Sequence, residues 1–123
     1  MITDYFYSTQ VSQFDFIRIP KELVTGEMFS SLSNPAKLLY GMMLDRMSLS
    51  MNNHWLDEKN RVYIVYSLKE IMEDMNFSRH KAIDCLNELE GIGLILRNQP
   101  EKGKENQIYV KNFNDYVRLE ILK

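Results

Sequence analysis

The stretch of sequence that decides the fold is SLKEIMEDMNFSRHKAIDCLNELEGIGLILRNQPEKGKENQIYVK, residues 67–111. Ser67 and Glu70 stand at capping-box spacing, in which each side chain can satisfy a free backbone N–H at a helix start. Ser78 can cap a second helix, and Gly93 lies just beyond the end of its apolar repeat, as is typical of helix C-termini. The sequence therefore predicts two short helices joined by a tight turn.

The second half of this stretch predicts a two-stranded ribbon. Residues 94–97 and 107–111 are rich in branched aliphatic side chains, and the segment between them, 98–106, is polar and contains Gly103. A helix, a tight turn, a second helix and a ribbon, in this order, are the parts of a winged helix-turn-helix. We therefore expect residues 67–111 to fold as such a unit, with the loop of the ribbon as its wing.

A long central helix is expected upstream of this unit. Ser33 or Asn34 can cap it, and Pro35 suits its first turn because an N–H there has no partner within the helix. The helix is expected to run to about Ser50. Its apolar positions are Ala36, Leu38, Leu39, Tyr40, Met42, Met43, Leu44, Met47 and Leu49. An apolar face this wide predicts a helix that is covered on more than one side.

A β-hairpin is expected between the central helix and the two short helices. Aromatic and β-branched residues at 54–56 and 62–66 flank the polar turn 57–60. The expected fold class is therefore α+β: a winged helix-turn-helix with a long central helix and an additional β-hairpin.

The length of 123 residues predicts a single domain. We expect residues 14–113 to form it, residues 1–13 to be an N-terminal arm, and residues 114–123 to be a C-terminal tail. The arm has three aromatic residues outside the expected core, which are Tyr5, Phe6 and Tyr7. Exposed aromatic side chains indicate a partner surface, most simply a second copy of the chain as a homodimer; a disordered end is the alternative.

Composition and charge limit the classes of function. The net charge is −2, which argues against a non-specific nucleic-acid coat but is compatible with a local basic surface. One cysteine, Cys85, no secretion signal and no apolar run of about 18 residues predict a cytoplasmic protein without a membrane span. There is no nucleophile motif, no phosphate loop and no metal-ligand spacing, so we expect a protein that is not an enzyme and needs no cofactor.

The start of the second short helix has the candidate DNA-binding residues. In a helix-turn-helix the second helix enters the major groove with its N-terminal residues nearest the bases. Two cations directly after the cap oppose the helix dipole, and a bound polyanion would relieve this. The candidates on this helix are Ser78, Arg79, His80, Lys81, Asp84 and Asn87, with Glu88 as an alternative to Asn87. A solvated helix end is the competing interpretation.

The wing loop is the second candidate contact. Lys102 and Lys104 flank Gly103 at its apex, and Arg97 and Asn106 stand at its edges. Such a loop can lie along a DNA backbone or in the adjacent minor groove. The neighbouring glutamates, Glu101 and Glu105, weaken the basic patch, and a charged, solubilising hairpin tip is the alternative.

Several blocks of the chain resemble the N-terminal domain of the RepA-type initiators of plasmids from Gram-positive bacteria, the RepA N-terminal family. They occur in the family's order and spacing over roughly residues 14–113. The blocks are FIRIPKEL (16–23), LSNPAKLLY (32–40), LDRMSLS (44–50), RVYIVY (61–66), SRHKAI (78–83), LE (89–90), GLI (93–95) and IYVKNF (108–113).

The resemblance implies a replication initiator that binds repeated sequences, or iterons, in double-stranded DNA at a plasmid origin, as a dimer. It also implies a longer protein, whose C-terminal domain engages host replication proteins and follows residues 114–123. The family's recognition helix corresponds here to residues 78–81, and its wing to Lys102, Lys104 and Asn106.

Two other functions fit the same sequence features. A winged-helix transcriptional regulator would show the same features. A winged-helix protein-interaction module without DNA specificity would fit the acidic average composition and the aromatic arm.

Overall fold

The order of helices and strands follows the prediction. The structure is a computed structural model and describes residues 2–8, 14–98 and 106–113. Residues 2–8 and 14–20 contain no helix or strand. The helices are α1 (Lys21–Thr25), α2 (Asn34–Arg46), α3 (Leu68–Met75) and α4 (Arg79–Gly91), with 3-10 turns at Glu27–Phe29 and Met47–Leu49. The strands are β1 (Ile64–Val65), β2 (Ile95–Asn98) and β3 (Gln107–Val110).

Helix α2 is the predicted central helix, in a shorter form. The Ser33 hydroxyl caps it by accepting a hydrogen bond from the Ala36 N–H, and the helix ends at Arg46, after which the 3-10 turn continues the chain. Its face is narrower than predicted, because Leu38 and Leu49 are each 43% exposed. The fully covered positions lie on one stripe, which consists of Ala36, Leu39, Tyr40 and Met43.

The two helices of the predicted helix-turn-helix are joined by a tight turn. The capping box of α3 is present, with Ser67 and Glu70 each bonded to the other's backbone N–H. Asn76 ends the helix in the left-handed conformation, at φ 59°, which asparagine tolerates better than most residues. Gly93 adopts φ +86° beyond the end of α4, where a side chain would be strained. Both helix ends thus follow the local sequence signals.

The predicted wing ribbon is part of a three-stranded antiparallel sheet with the order β1-β3-β2. In the ribbon, Leu96 pairs with Tyr109 and Asn98 with Gln107. The additional hairpin is present in a reduced form, because its arms pair only around Leu56 and Val62, with backbone hydrogen bonds from Asp57 to Arg61 and from Tyr63 to Trp55. Its second arm extends into β1, which pairs with β3. The hairpin and the wing are therefore one connected structure.

A half-buried arginine fixes the start of α3 against α2. The Arg46 guanidinium donates to the Val65 carbonyl and to the Glu70 carboxylate, each at 2.7 Å, and stacks 4.3 Å from the centre of the Tyr66 ring. A planar guanidinium suits such a site because it can bond a carboxylate and stack on a ring at once. This contact holds the first helix of the helix-turn-helix on the central helix.

The hydrophobic core lies between α2, α4 and the inner face of the sheet. Cys85 belongs to it as a buried side chain, and burial raises the pKa of its thiol. The largest fully buried side chains are Leu23, Phe29, Leu39, Tyr40, Met43, Ile64, Tyr66, Ile71, Leu89, Ile95 and Ile108. Because α4 has Ala82 and Cys85 in this core, its exposed first turn is anchored to the rest of the fold.

Two expectations lie outside the described residues. One is the wing tip, which includes Lys102 and Lys104, and the other is the tail at 114–123. Within the described part of the chain, the structure contains no helix that is long and apolar enough to cross a membrane.

Candidate nucleic-acid interface

The first turn of α4 is built as predicted. The Ser78 hydroxyl accepts a hydrogen bond from the Lys81 N–H at 3.1 Å, and α4 begins at Arg79. A cap of this kind satisfies one of the free N–H groups of the first turn and leaves others available to an incoming anion.

Three basic side chains are exposed in this first turn. Arg79, His80 and Lys81 are all on the surface. The His80 imidazole lies 3.4 Å from the Asp84 carboxylate one turn further on, and the Lys81 ammonium lies 5.6 Å from the centre of the Phe77 ring. The structure thus brings Ser78 and the basic residues together at one accessible helix end, with Asp84 directly behind them.

Arg97, one of the predicted DNA-contacting residues, is hydrogen-bonded to side chains of α4. Its guanidinium donates to the Glu90 carboxylate at 2.7 Å and to the Asn87 side-chain oxygen at 2.9 Å. The Arg97 backbone N–H donates to the other Glu90 oxygen at 2.9 Å. These hydrogen bonds hold the pKa of Glu90 below its ordinary value. Arg97 and Asn87 are therefore engaged with each other and with Glu90.

A second carboxylate lies on the opposite face of the ribbon. Asp57, in the turn of the hairpin, accepts from the Tyr109 hydroxyl at 3.0 Å and from the Arg61 side chain at 2.7 Å. It also accepts from the backbone N–H groups of Lys59 and Arg61. The Arg61 guanidinium stacks 5.3 Å from the centre of the Tyr109 ring. This cluster joins the hairpin to β3.

Of the two alternatives on α4, Glu88 is the one that does not lie on the exposed side. Glu88 is half-buried, and its carboxylate accepts from the Ser33 N–H at 2.8 Å and from the Ser33 hydroxyl at 2.7 Å. A negative charge at the start of α2 is favourable because the helix dipole is positive there. Glu88 therefore docks α4 onto the central helix, and Asn87 is the exposed member of the pair.

The remaining predicted residues lie at two separate places. Asn106 is exposed next to the start of β3. In the arm, Tyr5, Phe6 and Tyr7 are 85%, 60% and 62% exposed. The Phe6 ring meets Phe14 edge to face at 5.7 Å, and Phe14 meets the exposed Phe16 at 6.5 Å. The exposed aromatic surface thus continues beyond the arm into the following extended segment.

Sequence reasoning missed the two carboxylates that contact the ribbon. The sequence pattern places Asp57 only in a turn and indicates no contact for Glu90. Asp57 meets Tyr109 across 52 positions of the chain, which no local pattern signals. Glu90 and Arg97 are seven positions apart, but they lie on different elements, so helical spacing does not predict their contact.

The fold and the basic start of α4 define a protein of the winged helix-turn-helix class. Residues 15–122 match the family described as "Replication initiator protein A (RepA) N-terminus". The chain belongs to this family, which confirms the resemblance seen in the sequence.

Individual proteins and structures are similar to the chain over most of its length. A Lactobacillus helveticus protein described as "41 kDa protein" is 25% identical over 88 residues, which are 72% of this chain and 25% of that protein. The chain thus spans about a quarter of the length of this curated relative.

Solved structures agree with the fold. One described as "N-Terminal domain of DNA binding protein" is 30% identical at a TM-score of 0.75, covering 97% of this chain and 94% of that one. Another, "Structure of Rep-DNA complex", is 29% identical at a TM-score of 0.74, covering 98% of this chain and 96% of that one. A third, "Structure of MDR initiator", is 25% identical at a TM-score of 0.71, covering 97% of this chain and 98% of that one.

Proposed function

We propose that this domain binds double-stranded DNA at repeated sites of a plasmid replication origin and so takes part in the initiation of plasmid replication. The observation that carries the proposal is the exposed basic first turn of α4, Ser78 to Lys81, on the fold of the initiator family. Support also comes from the similarity to the structure described as a Rep-DNA complex. The domain acts by binding and performs no chemical step.

In this proposal α4 is the recognition helix. Arg79 contacts a guanine edge with its paired donors, and Lys81 and the N–H groups of the first turn bind phosphate. His80 and Ser78 lie between them and contact the backbone or a base edge. Asp84, Asn87 and Arg97 are secondary contacts, because their side chains already have partners within the domain.

The wing is the second contact. From the sequence, Lys102 and Lys104 bind the phosphate backbone beside the groove that α4 occupies, and Asn106 contributes at the base of the loop. Because the whole chain has a net charge of −2, binding depends on these local basic groups and not on bulk attraction.

The full protein extends the proposal beyond this domain. Since the chain spans only part of its curated relative, we propose that a C-terminal domain contacts host replication proteins. We further propose that two copies of the chain pair through the aromatic arm, that they bind tandem repeats together, and that the protein acts in the cytoplasm.

The test is a footprint of the purified domain on fragments of the replicon that encodes it, followed by anisotropy with a fluorescent duplex of the protected repeat. We expect saturable binding that weakens steeply as salt rises, because counterions are released from the phosphates. A scrambled duplex of the same composition should bind more weakly.

The recognition helix is tested by the double variant Arg79→Ala, Lys81→Ala. We expect its affinity for the repeat to fall about tenfold or more, since a paired base contact alone is worth about 1–3 kcal/mol. Lys21→Ala, which removes an exposed cation at the start of α1, is the matched control and should bind as the parent does. Far-ultraviolet circular dichroism checks that each variant is folded.

Two results would contradict the proposal. Equal binding by the double variant would remove α4 from the interface. Equal binding of the repeat and the scrambled duplex would instead favour a protein-interaction module.

A further inference from the structure

The wing ribbon presents its two faces to two different parts of the molecule. Side chains alternate along a strand, so Arg97 and its partner Ile108 share one face, and Leu96 and its partner Tyr109 share the other. Ile108 is buried, which identifies the first face as the inner one, toward α4. The strands have only four residues each, and a ribbon this short has little stability of its own. Its orientation is therefore set by the pairing of β3 with β1 and by contacts on its faces.

On the inner face, and at the free edge of β2, the contact is made by Glu90 of α4. Both of its carboxylate oxygens are occupied, one by the Arg97 backbone N–H and the other by the Arg97 guanidinium. The same guanidinium reaches Asn87, one turn earlier on the helix. A backbone bond fixes where the strand lies, and the forked side-chain bond fixes its orientation. The base of the wing is thereby joined to the recognition helix itself.

On the outer face the contact is made by Asp57. One of its oxygens accepts from two backbone N–H groups of its own turn, and the other accepts from Arg61 and from the Tyr109 hydroxyl of β3. The Tyr109 ring is further covered by Arg61 and lies 5.9 Å from the Tyr63 ring. The hairpin is thus rigid at its turn and bonded to the ribbon on the side away from α4.

We infer that Glu90 and Asp57 are positioning residues that hold the wing ribbon, from its two faces, at a set angle to the recognition helix. The inference rests on the proposed function, because the purpose of a set angle is that helix and wing meet the same DNA together. Neither carboxylate touches DNA in this scheme. Each acts through the ribbon, and hence through the residues at the wing tip.

The test uses the isosteric variants Glu90→Gln and Asp57→Asn in the repeat-binding assay. In Glu90→Gln an amide NH₂ meets an Arg97 donor, and in Asp57→Asn the loss of charge weakens the bonds from Arg61 and Tyr109, in both cases without loss of volume. Simple electrostatics predicts tighter binding, since a negative charge near phosphates is removed. If the two carboxylates act by positioning the ribbon, the affinity of each variant should instead be about three- to tenfold lower than that of the parent. This factor is in the range of measured couplings between contacting residues.

A double-mutant cycle separates positioning from general destabilisation. In a background that already has Lys102→Ala and Lys104→Ala, the wing makes no charged contact, so the two isosteric variants should have little further effect on affinity. A merely structural loss would lower affinity by the same factor in both backgrounds. Glu58→Gln removes the same charge from the same turn and is the matched control.

Tyr109→Phe is a milder third variant, since it keeps the ring and deletes only the hydroxyl that donates to Asp57. Its affinity for the repeat should fall by part of the factor seen with Asp57→Asn, and again only when the wing lysines are present. Unchanged affinity in all three variants, with binding by the parent and its loss in the α4 double variant, would overturn this inference alone. Failure of the parent to bind the repeat would overturn the proposed function and this inference with it.

Discussion

At the scale of single residues, Asp57 shows how one carboxylate can organise a surface turn. Four donors converge on its two oxygens, and its side chain is only 16% exposed. Desolvation alone would raise the pKa of Asp57, but hydrogen bonds from Arg61, Tyr109 and Lys59 outweigh it and hold the pKa well below the ordinary value of 3.8. The fold therefore stabilises the ionised form of Asp57.

This arrangement predicts a loss of stability in acid. A carboxyl whose pKa is lower in the folded state binds fewer protons than in the unfolded state, so its stabilising effect is present above pH 3.8 and disappears as the pH falls below it. The free energy of unfolding, measured by urea titration between pH 6 and pH 3, should fall more steeply for the parent than for Asp57→Asn. Parallel pH curves for the two proteins would contradict the assignment.

At the scale of the helices and strands, the cap of α4 has a structural and a binding role. The Ser78 hydroxyl is bonded to the Lys81 N–H, and it begins the helix at the point where DNA is proposed to approach. The effects of this residue on stability and on DNA affinity can be separated, because serine and aspartate cap a helix about equally well but differ in charge.

For Ser78→Ala we expect a loss of about 1 kcal/mol in the free energy of unfolding, which is typical of removing a helix cap. Ser78→Asp should keep this stability, since aspartate is also a good cap, yet it should weaken DNA binding because its charge repels phosphate. Thermal unfolding and anisotropy measure the two effects. If Ser78→Asp bound the repeat as tightly as the parent, phosphate would not approach this helix end.

The elements also show which parts of the structure a sequence can predict. Ser67 with Glu70, and Ser33 before Pro35, are local signals that act over one helical turn, and both were confirmed. Leu38 and Leu49 were wrongly assigned to the covered face, because the width of that face depends on which elements pack against α2. Glu88 and Asp57 have partners 55 and 52 positions away in the sequence, and no periodic pattern indicates contacts between residues so far apart in the chain.

At the scale of the whole molecule, the charged and the apolar exposed residues belong to different segments of the chain. The basic residues of the proposed interface lie at one end of α4, whereas exposed aromatic rings extend along the segments before α1. The exposed rings are Tyr5, Phe6, Tyr7, Phe14 and Phe16. A chain with a net charge of −2 has little electrostatic repulsion to keep copies apart, so such a surface favours self-association.

We predict that the triple variant Tyr5→Ser, Phe6→Ser, Tyr7→Ser sediments as a smaller species than the parent at the same concentration. Burial of three aromatic side chains at a pair interface is worth several kcal/mol, so their loss should shift the equilibrium toward the monomer. Val24→Ser, at an apolar position 65% exposed on α1, is the control for general surface polarity. Identical sedimentation of the triple variant and the parent would place the dimer contact elsewhere.

Strand β2 forms one border of the sheet, and this has a consequence for solubility. The outward N–H groups of a border strand are a template on which another chain can add a strand, which is a common route to aggregation. In this molecule the outward N–H of Arg97 is already bonded to the Glu90 carboxylate, and an ionic side chain lies over the place where an added strand would pair. The residue that orients the ribbon thus also occupies one of the edge donors on which another copy of the chain could add a strand.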